Sequence, residues 1–342
     1  MKLLIITQKV DLRDNNLGFF HGWIKEFAKH VSEVKVIASY VGEMDLPPNV
    51  QVFSLGKELH KGRIKRWWGF RCLFIRHYGQ SDAVFFHMIP EFVLAAAPFL
   101  VFSKKTKALW YTHKSITWKL KLAEKLVDRI FTASRLSFRL PSKKVVFAGH
   151  AIDTDFFKPE TDPKRKNNSI KIITAGRISP SKNYETIIQA CSFLKNKGIN
   201  FTYSIVGAPV MPKDQEYLSH LQKLVDKLDL RTQIGFTGPI PYPAMPAIYN
   251  QHDIFISTSS TGSIDKVVLE AISCGLATMT SNEAFREILP DKYFLPDKDP
   301  KTIFEKILEL ASESRPNNLL RSLVINNHSL SRTIHSICAL LS

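Results

Sequence analysis

The chain has 342 residues, 44% of them hydrophobic and 23% charged, with a formal net charge of +16. Those proportions exclude a fibre or a disordered polymer, and the length exceeds what one ordinary core serves, so two domains are expected. Four scattered cysteines (Cys72, Cys191, Cys274, Cys338) form no C-x-x-C pair. They exclude a disulfide scaffold and a cysteine-based zinc site, and they fit a reducing, cytoplasmic compartment.

The opening Lys2–Thr7 is apolar for only four residues before turning polar, so it reads as a strand rather than a signal peptide. Further strands are expected at Val34–Ala38, Val52–Leu55, Ala83–His87, Ala108–Thr112, Arg129–Thr132 and Lys144–Ala148, with helices over Phe20–Val31 and Ser115–Leu126. The apolar run Phe92–Phe102 is 11 residues long and interrupted by Pro98, too short to cross a bilayer. A polar stretch with two prolines, Lys158–Asn168, reads as a linker. Beyond it come strands at Ile170–Thr174, Asn200–Val206, Gln233–Thr237, Ile254–Ser257 and Ala277–Thr280, and helices at Tyr184–Lys195, Asp214–Leu228 and Val267–Cys274. In the first of these helices Ile187, Ile188, Cys191 and Leu194 share one face. Strand–helix alternation in two rounds predicts an α/β chain of two Rossmann-like, doubly wound domains facing across a ligand cleft. The expected divisions are 1–158, 159–322, and a C-terminal segment 323–342 of helical character.

The charge belongs to the first half. Residues 1–158 carry 26 Lys/Arg against 13 Asp/Glu, and the remainder 21 against 18. Nucleic acid, an anionic membrane face and a phosphorylated substrate all suit such a surface. No nucleic-acid module is visible and the cations fall between βα elements, which argues against nucleic acid. The stretch Lys61–His77 mixes cations with Trp67 and Trp68, a combination suited to an anionic bilayer interface. The alternative is a solvated surface with both tryptophans packed inside.

Two loops concentrate chemistry. Thr174–Asn183 joins a strand to a helix and carries Gly176, Arg177 and Lys182. Arg177 offers a planar fork of donors and Lys182 a mobile point charge, two ways of holding phosphate oxygens, although a solvated loop would also hold two cations. Ser257–Ala271 runs from small hydroxyl residues through Gly262, Ser263, Ile264 and Asp265 into a helix carrying Glu270. Such a turn aims backbone N–H groups and the positive end of the helix dipole at an anion, with a well-capped core helix as the alternative. Asp153-Thr154-Asp155 has the D-x-D spacing of metal-dependent transferases, but its place at the domain crossing favours a structural role, and no H-E-x-x-H cluster is present.

Together these residues resemble the GT-B glycosyltransferases, specifically the large retaining group often called family 4. Gly-Arg-x-x-x-x-Lys at 176–182 is followed by the small-residue turn and by Leu269-Glu270-Ala271-x-x-Cys274-Gly275. Gly149–Pro159 is similar to the segment closing the first domain in that family, and Phe236–Ile240 followed by Ile248–Ser257 is similar to its base-contacting loop and next strand. The resemblance implies retaining transfer of a sugar from a nucleotide-diphosphate donor to a glycan or lipid-linked hydroxyl. No metal and no cofactor beyond the donor are implied. Arg177 and Lys182 would clamp the diphosphate, Glu270 the ribose, Pro239 and Ile240 the base, and Gly262, Ser263 and Ile264 would present amides to phosphate. His113, near a strand end, corresponds to a histidine touching the donor sugar, although a lone histidine is also a common polar bystander. The family's first carboxylate falls on Gly262, leaving Asp265 as the nearest substitute. A catalytically impaired nucleotide-sugar-binding protein is therefore the second reading. The final helix is expected to return to the first domain, and the protein is expected to be cytoplasmic, peripheral at the membrane's cytoplasmic face.

Overall fold

The computed structural model describes residues 1–160, 169–259 and 262–342. The expected linker lies largely outside the described residues, as do Ser260 and Thr261 of the hydroxyl-rich turn. Two compact units result, one of Met1–Asp153 with His328–Ser342 and one of Thr154–Asn327.

In the first unit, strands β1 (Lys2–Val10), β2 (Glu33–Val41), β3 (Val50–Ser54), β4 (Ala83–His87), β5 (Thr106–Trp110), β6 (Arg129–Thr132) and β7 (Val145–Phe147) form one sheet ordered β3-β2-β1-β4-β5-β6-β7. Every pairing in it is parallel. Parallel sheets bury both faces, so the strands read as continuous apolar runs whose alternate residues serve two cores. Leu3, Ile5, Ala83 and Phe85 enter one core with helix α1 (Phe19–His30). Leu4, Ile6, Val84 and Phe86 enter the other, beneath helices α2 (Arg63–Tyr78), α3 (Pro90–Leu100) and α4 (Trp118–Leu126).

Several sequence expectations shift here. Strand β5 spans Thr106–Trp110 rather than 108–112, because it pairs in register with β4 from Ala83↔Thr106 to His87↔Trp110. The helix expected from Ser115 starts at Trp118, where Thr117 Oγ1 accepts the Leu120 N–H at 3.1 Å and caps it. The run around Phe92–Leu100 is helical through Pro98, which falls in the last turn of α3.

The second unit holds β8 (Ile170–Ala175), β9 (Phe201–Val206), β10 (Ile234–Gly238), β11 (Ile254–Ser257) and β12 (Ala277–Thr280), parallel in the order β10-β9-β8-β11-β12. Helices α5 (Tyr184–Asn196), α6 (Pro212–Lys227), α7 (Met245–Asn250), α8 (Lys266–Ser273), α9 (Pro300–Ala311) and α10 (Asn318–His328) complete it. The first division falls at 153/154 rather than 158/159, because Phe157 is committed to the second unit. Its ring packs against Tyr242 and Tyr249, and its carbonyl accepts from Ser273 Oγ at 2.6 Å and Arg321 Nη1 at 3.1 Å.

The second division falls at 327/328 rather than 322/323. Helix α11 (Leu330–Leu341) turns Leu330, Ile334, Ile337, Cys338 and Leu341, an i, i+4, i+7, i+8, i+11 stripe, into the core shared with Phe20 and Trp23. Each such apolar side chain contributes roughly 1.5–3 kcal/mol by leaving water. The Ile152 and Leu330 amides donate to the His328 and Ile152 carbonyls, both at 2.7 Å, tying the returning chain to the last segment before the division.

Candidate functional site

In the second unit the strand order reverses between β8 and β11, and a doubly wound sheet opens its ligand crevice at that point, beyond the strands' C-terminal ends. The loops leaving β8 and β11 are the two that sequence singled out. The hydroxyl of Thr258 lies 2.7 and 2.8 Å from the Lys182 and Asn183 carbonyls, fastening one loop to the other. Asn183 takes a left-handed conformation (φ 49°) before α5.

Lys182 Nζ then lies 2.8 Å from Asp265 Oδ1 and 3.3 Å from Ser259 Oγ, largely buried. Asp265 occupies the position before α8, yet its carboxylate makes no capping bond to that helix. Instead Asp265 Oδ2 accepts from Asn282 Nδ2 at 3.3 Å, and the same amide donates to the Ser263 carbonyl at 2.7 Å. Asn282 is fully buried, its Oδ1 accepting the Ala284 N–H. Lys182, Ser259, Asp265, Ser263 and Asn282 thus form one cluster.

Gly262 has φ 65°, in the left-handed region that glycine enters most readily. Ile264 is buried beside it.

A second assembly lies on the β8–β9–β10 side. The Gly176 N–H donates to the Val206 carbonyl and Gly207 N–H to the Gly238 carbonyl, both at 2.9 Å. This brings the Gly176–Arg177 turn beside Gly238, with exposed Pro239 and partly buried Ile240 following. The Tyr184 hydroxyl lies 3.4 Å from the Gly176 and Arg177 carbonyls. The Arg177 side chain is 52% exposed, its Nε 3.9 Å from Asp214. Among the described residues Arg177 makes no hydrogen bond or ion pair with the Lys182 cluster.

Glu270, one turn into α8, is buried beneath the Tyr249 hydroxyl, which donates to its Oε2 at 3.4 Å. Burial raises its pKa to about 7, partly offset by the Lys266 charge and the Tyr249 bond. A carboxyl held there is poised to accept bonds from neutral hydroxyls.

His113 belongs to the first unit, exposed and three residues beyond β5 rather than adjoining its end, and its Nδ1 accepts the Ser115 N–H at 3.1 Å. Of the D-x-D pair, Asp153 and Asp155 fall in different units. Sequence reasoning missed Asn282, Tyr249 and Gly207, and took Ser259 only as one of the hydroxyl residues of the turn. Asn282 follows the strand read at Ala277–Thr280, so strand-end position was the one signal that pointed to it.

Two parallel doubly wound sheets, the second with its strand order reversing between β8 and β11, are the architecture of the GT-B glycosyltransferases. The chain belongs to the family described as glycosyl transferases group 1, whose model matches residues 156–327. It is 24% identical over 177 residues to a putative colanic acid biosynthesis glycosyltransferase of Escherichia coli K12, a match covering 49% of this chain and 42% of that protein. It is 30% identical over 143 residues to a serotype-specific mannosyltransferase of Escherichia coli, covering 40% of this chain and 17% of that one. The matches span less than half the length of these curated relatives. Among solved structures, Anabaena HepE in complex with UDP and glucose is similar in fold at a TM-score of 0.75, with 14% identity and coverage of 100% and 99% of the two chains. Sucrose-phosphate synthase of Thermosynechococcus elongatus is similar at 0.77, with 12% identity and coverage of 99% and 98%.

Proposed function

We propose that the protein is a retaining glycosyltransferase that moves a sugar from a nucleoside diphosphate donor to a hydroxyl of a glycan or lipid-linked acceptor, without a metal ion. The observation that carries this reading is the convergence of Lys182, Ser259 and the turn before α8 at the sheet's reversal point. The donor's C1–O bond to phosphate breaks with its electron pair passing to the diphosphate. Lys182, Arg177 and the amides of the Gly262–Ile264 turn neutralise that charge, the work a metal does in other transferases. The acceptor oxygen bonds to C1 from the same face and its proton passes to the departing phosphate oxygen. Glu270 holds the ribose hydroxyls, Pro239 and Ile240 border the base, and Asp265 takes the sugar-side place of the missing glutamate.

A thermal-shift screen over UDP-, GDP- and ADP-sugars tests the donor class. The donor at about 100 Kd stabilises by about 2.7 kcal/mol, roughly 5–10 °C for a unit of this size. UDP-sugar is the expected responder, given the UDP-bound relative. Arg177→Ala is expected to shrink the response, and an unchanged response would place the phosphates elsewhere.

The raised Glu270 pKa adds a pH signature. Ribose hydroxyls donate best to the ionised carboxylate, so donor affinity is expected to rise with pH through 7 and to be roughly tenfold weaker at about pH 6 than at pH 8. UDP-glucose is the probe, because its diphosphate diester has no titration in that range. Since the folded pKa exceeds the ordinary 4.5, the unliganded fold loses stability as pH rises from about 4.5 to 7. Glu270→Gln is expected to flatten both dependences, as read by calorimetric titration and melting curves.

A further inference from the structure

We propose that the outward side of α2 and the start of α4 form a docking face for an anionic phospholipid bilayer. The observation is an exposed stripe of tryptophan and isoleucine set among uncompensated cations, and it stands apart from the donor chemistry proposed above.

Helix α2 has two faces. Phe70, Phe74, His77 and Tyr78 are buried against the sheet. Ile64, Trp67, Trp68 and Ile75, spaced i, i+3, i+4 and i+11, are exposed, Ile64 by 76% and Trp68 by 58%. Trp67 and Trp68 therefore do not pack inside, which removes the alternative of a buried pair. At the start of α4, Ile116 and Trp118 are exposed as well, Trp118 by 65%. Phe70, in the second turn of α2, packs on Phe92 at 5.1 Å, and Lys119 bonds Glu91 at 2.7 Å, so the N-terminal halves of α2, α3 and α4 are linked side by side. In a parallel unit all three helices begin at the strands' C-terminal end, the end at which a ligand is presented. Of the chain's five tryptophans, Trp23 and Trp110 are buried in the core and the other three lie on this face.

The charge selects the occupant. Between Glu58 and Asp82 the sequence holds six Lys/Arg and no acid. Arg63, Lys65 and Arg66 sit in the first turn of α2, where the helix dipole is already positive and no acidic residue offsets them. That placement is unfavourable in isolation and is relieved by an external sheet of negative charge. A recess of about 930 Å³ lined by Leu59, His60, Lys61, Arg63 and Lys65 opens at the same place, giving headgroups room among the cations. The Arg71 guanidinium lies over the Trp67 ring at 4.9 Å, and Trp67 meets Trp68 edge-to-face at 5.0 Å, the amphipathic pairing favoured at headgroup depth. A second copy of the chain is disfavoured as the occupant, since joining two such faces would set six cations against six. Among the described residues no helix is long and apolar enough to cross a membrane, so the contact is with the surface.

Sedimentation of the full chain with phosphatidylcholine vesicles, with and without phosphatidylglycerol, tests this. Binding is expected only to the anionic vesicles, with a blue shift of tryptophan emission, and release at about 1 M salt, where the Debye length is ~3 Å. Arg63→Gln, Lys65→Gln and Arg66→Gln together are expected to lower partitioning roughly a hundredfold, and Trp67→Ser with Trp68→Ser to abolish the blue shift. Both variants should keep the wild-type thermal response to the donor, which shows that they fold and separates this proposal from the donor assignment. No binding at low salt, equal binding to both vesicle types, or wild-type binding by both variants would overturn it. So would self-association that the same variants abolish.

Discussion

Lys182→Ala is expected to lower kcat/KM by at least about a hundredfold, the scale on which a preorganised charge at a departing oxyanion acts. In the free protein the ammonium is shared between Asp265 at 2.8 Å and Ser259 at 3.3 Å. On the proposed reading, an arriving diphosphate would compete with Asp265 for that charge. Deleting the lysine removes the cation and leaves a largely buried carboxylate facing the anion. The same change costs the fold up to about 3 kcal/mol, reduced by the solvent both groups still touch. Asp265→Asn separates the two roles. If Lys182 serves only to hold Asp265, the Asn variant should weaken UDP binding as Lys182→Ala does, a readout that Asp265's sugar-side role does not touch because UDP carries no sugar. If Lys182 serves the diphosphate, Asp265→Asn should tighten UDP binding by roughly three- to tenfold, because the competing carboxylate is gone and Asn282 can still hold the turn. UDP titrations of both single variants and the double variant read the coupling directly. Weaker UDP binding in Asp265→Asn would reject the diphosphate role.

Gly207→Ala is expected to be the most damaging small substitution in the second unit. Gly207 has φ 140°, and a Cβ there would lie 1.9 Å from the Gly176 carbonyl oxygen, a backbone atom with nowhere to retreat. Moving that carbonyl would pull at the Gly176–Arg177 turn, whose amide is bonded to Val206, and at the Gly207–Gly238 bond beyond it. We expect a loss of at least about 3 kcal/mol, a fall in Tm of roughly 10 °C or insoluble expression, together with a weakened UDP response. Gly235→Ala is the control, since a Cβ there meets nothing within 4 Å. Equal melting temperatures for the two variants would show that the β8–β9 approach is looser than described.

Much of the fold was legible because parallel strands are buried on both faces and announce themselves as apolar runs. Leu3–Ile6, Ala83–Phe86 and Ile254–Ile256 are each continuous, and each was read as a strand at nearly its final bounds. Helices α2 and α3 escaped because their patterns misled. Five cations and an exposed apolar stripe obscure the buried side of α2, and α3 is apolar nearly all round with a proline near its end.

The sequence by itself determined the α/β alternation, the family and the two loops singled out as the candidate site, since strand runs, glycine turns and cation spacing are local properties of the chain. Only the tertiary structure decided that Lys182 is already paired, that Asp265 turns from its helix to that lysine, and that Asn282 and Gly207 hold the two sides of the site. It also decided that Glu270 is buried enough to titrate near neutrality and that Trp67 and Trp68 face outward. Those outcomes depend on which strand ends adjoin in a sheet and how deeply a side chain leaves water. Both are set by contacts between residues as far apart in the chain as Lys182 and Asp265.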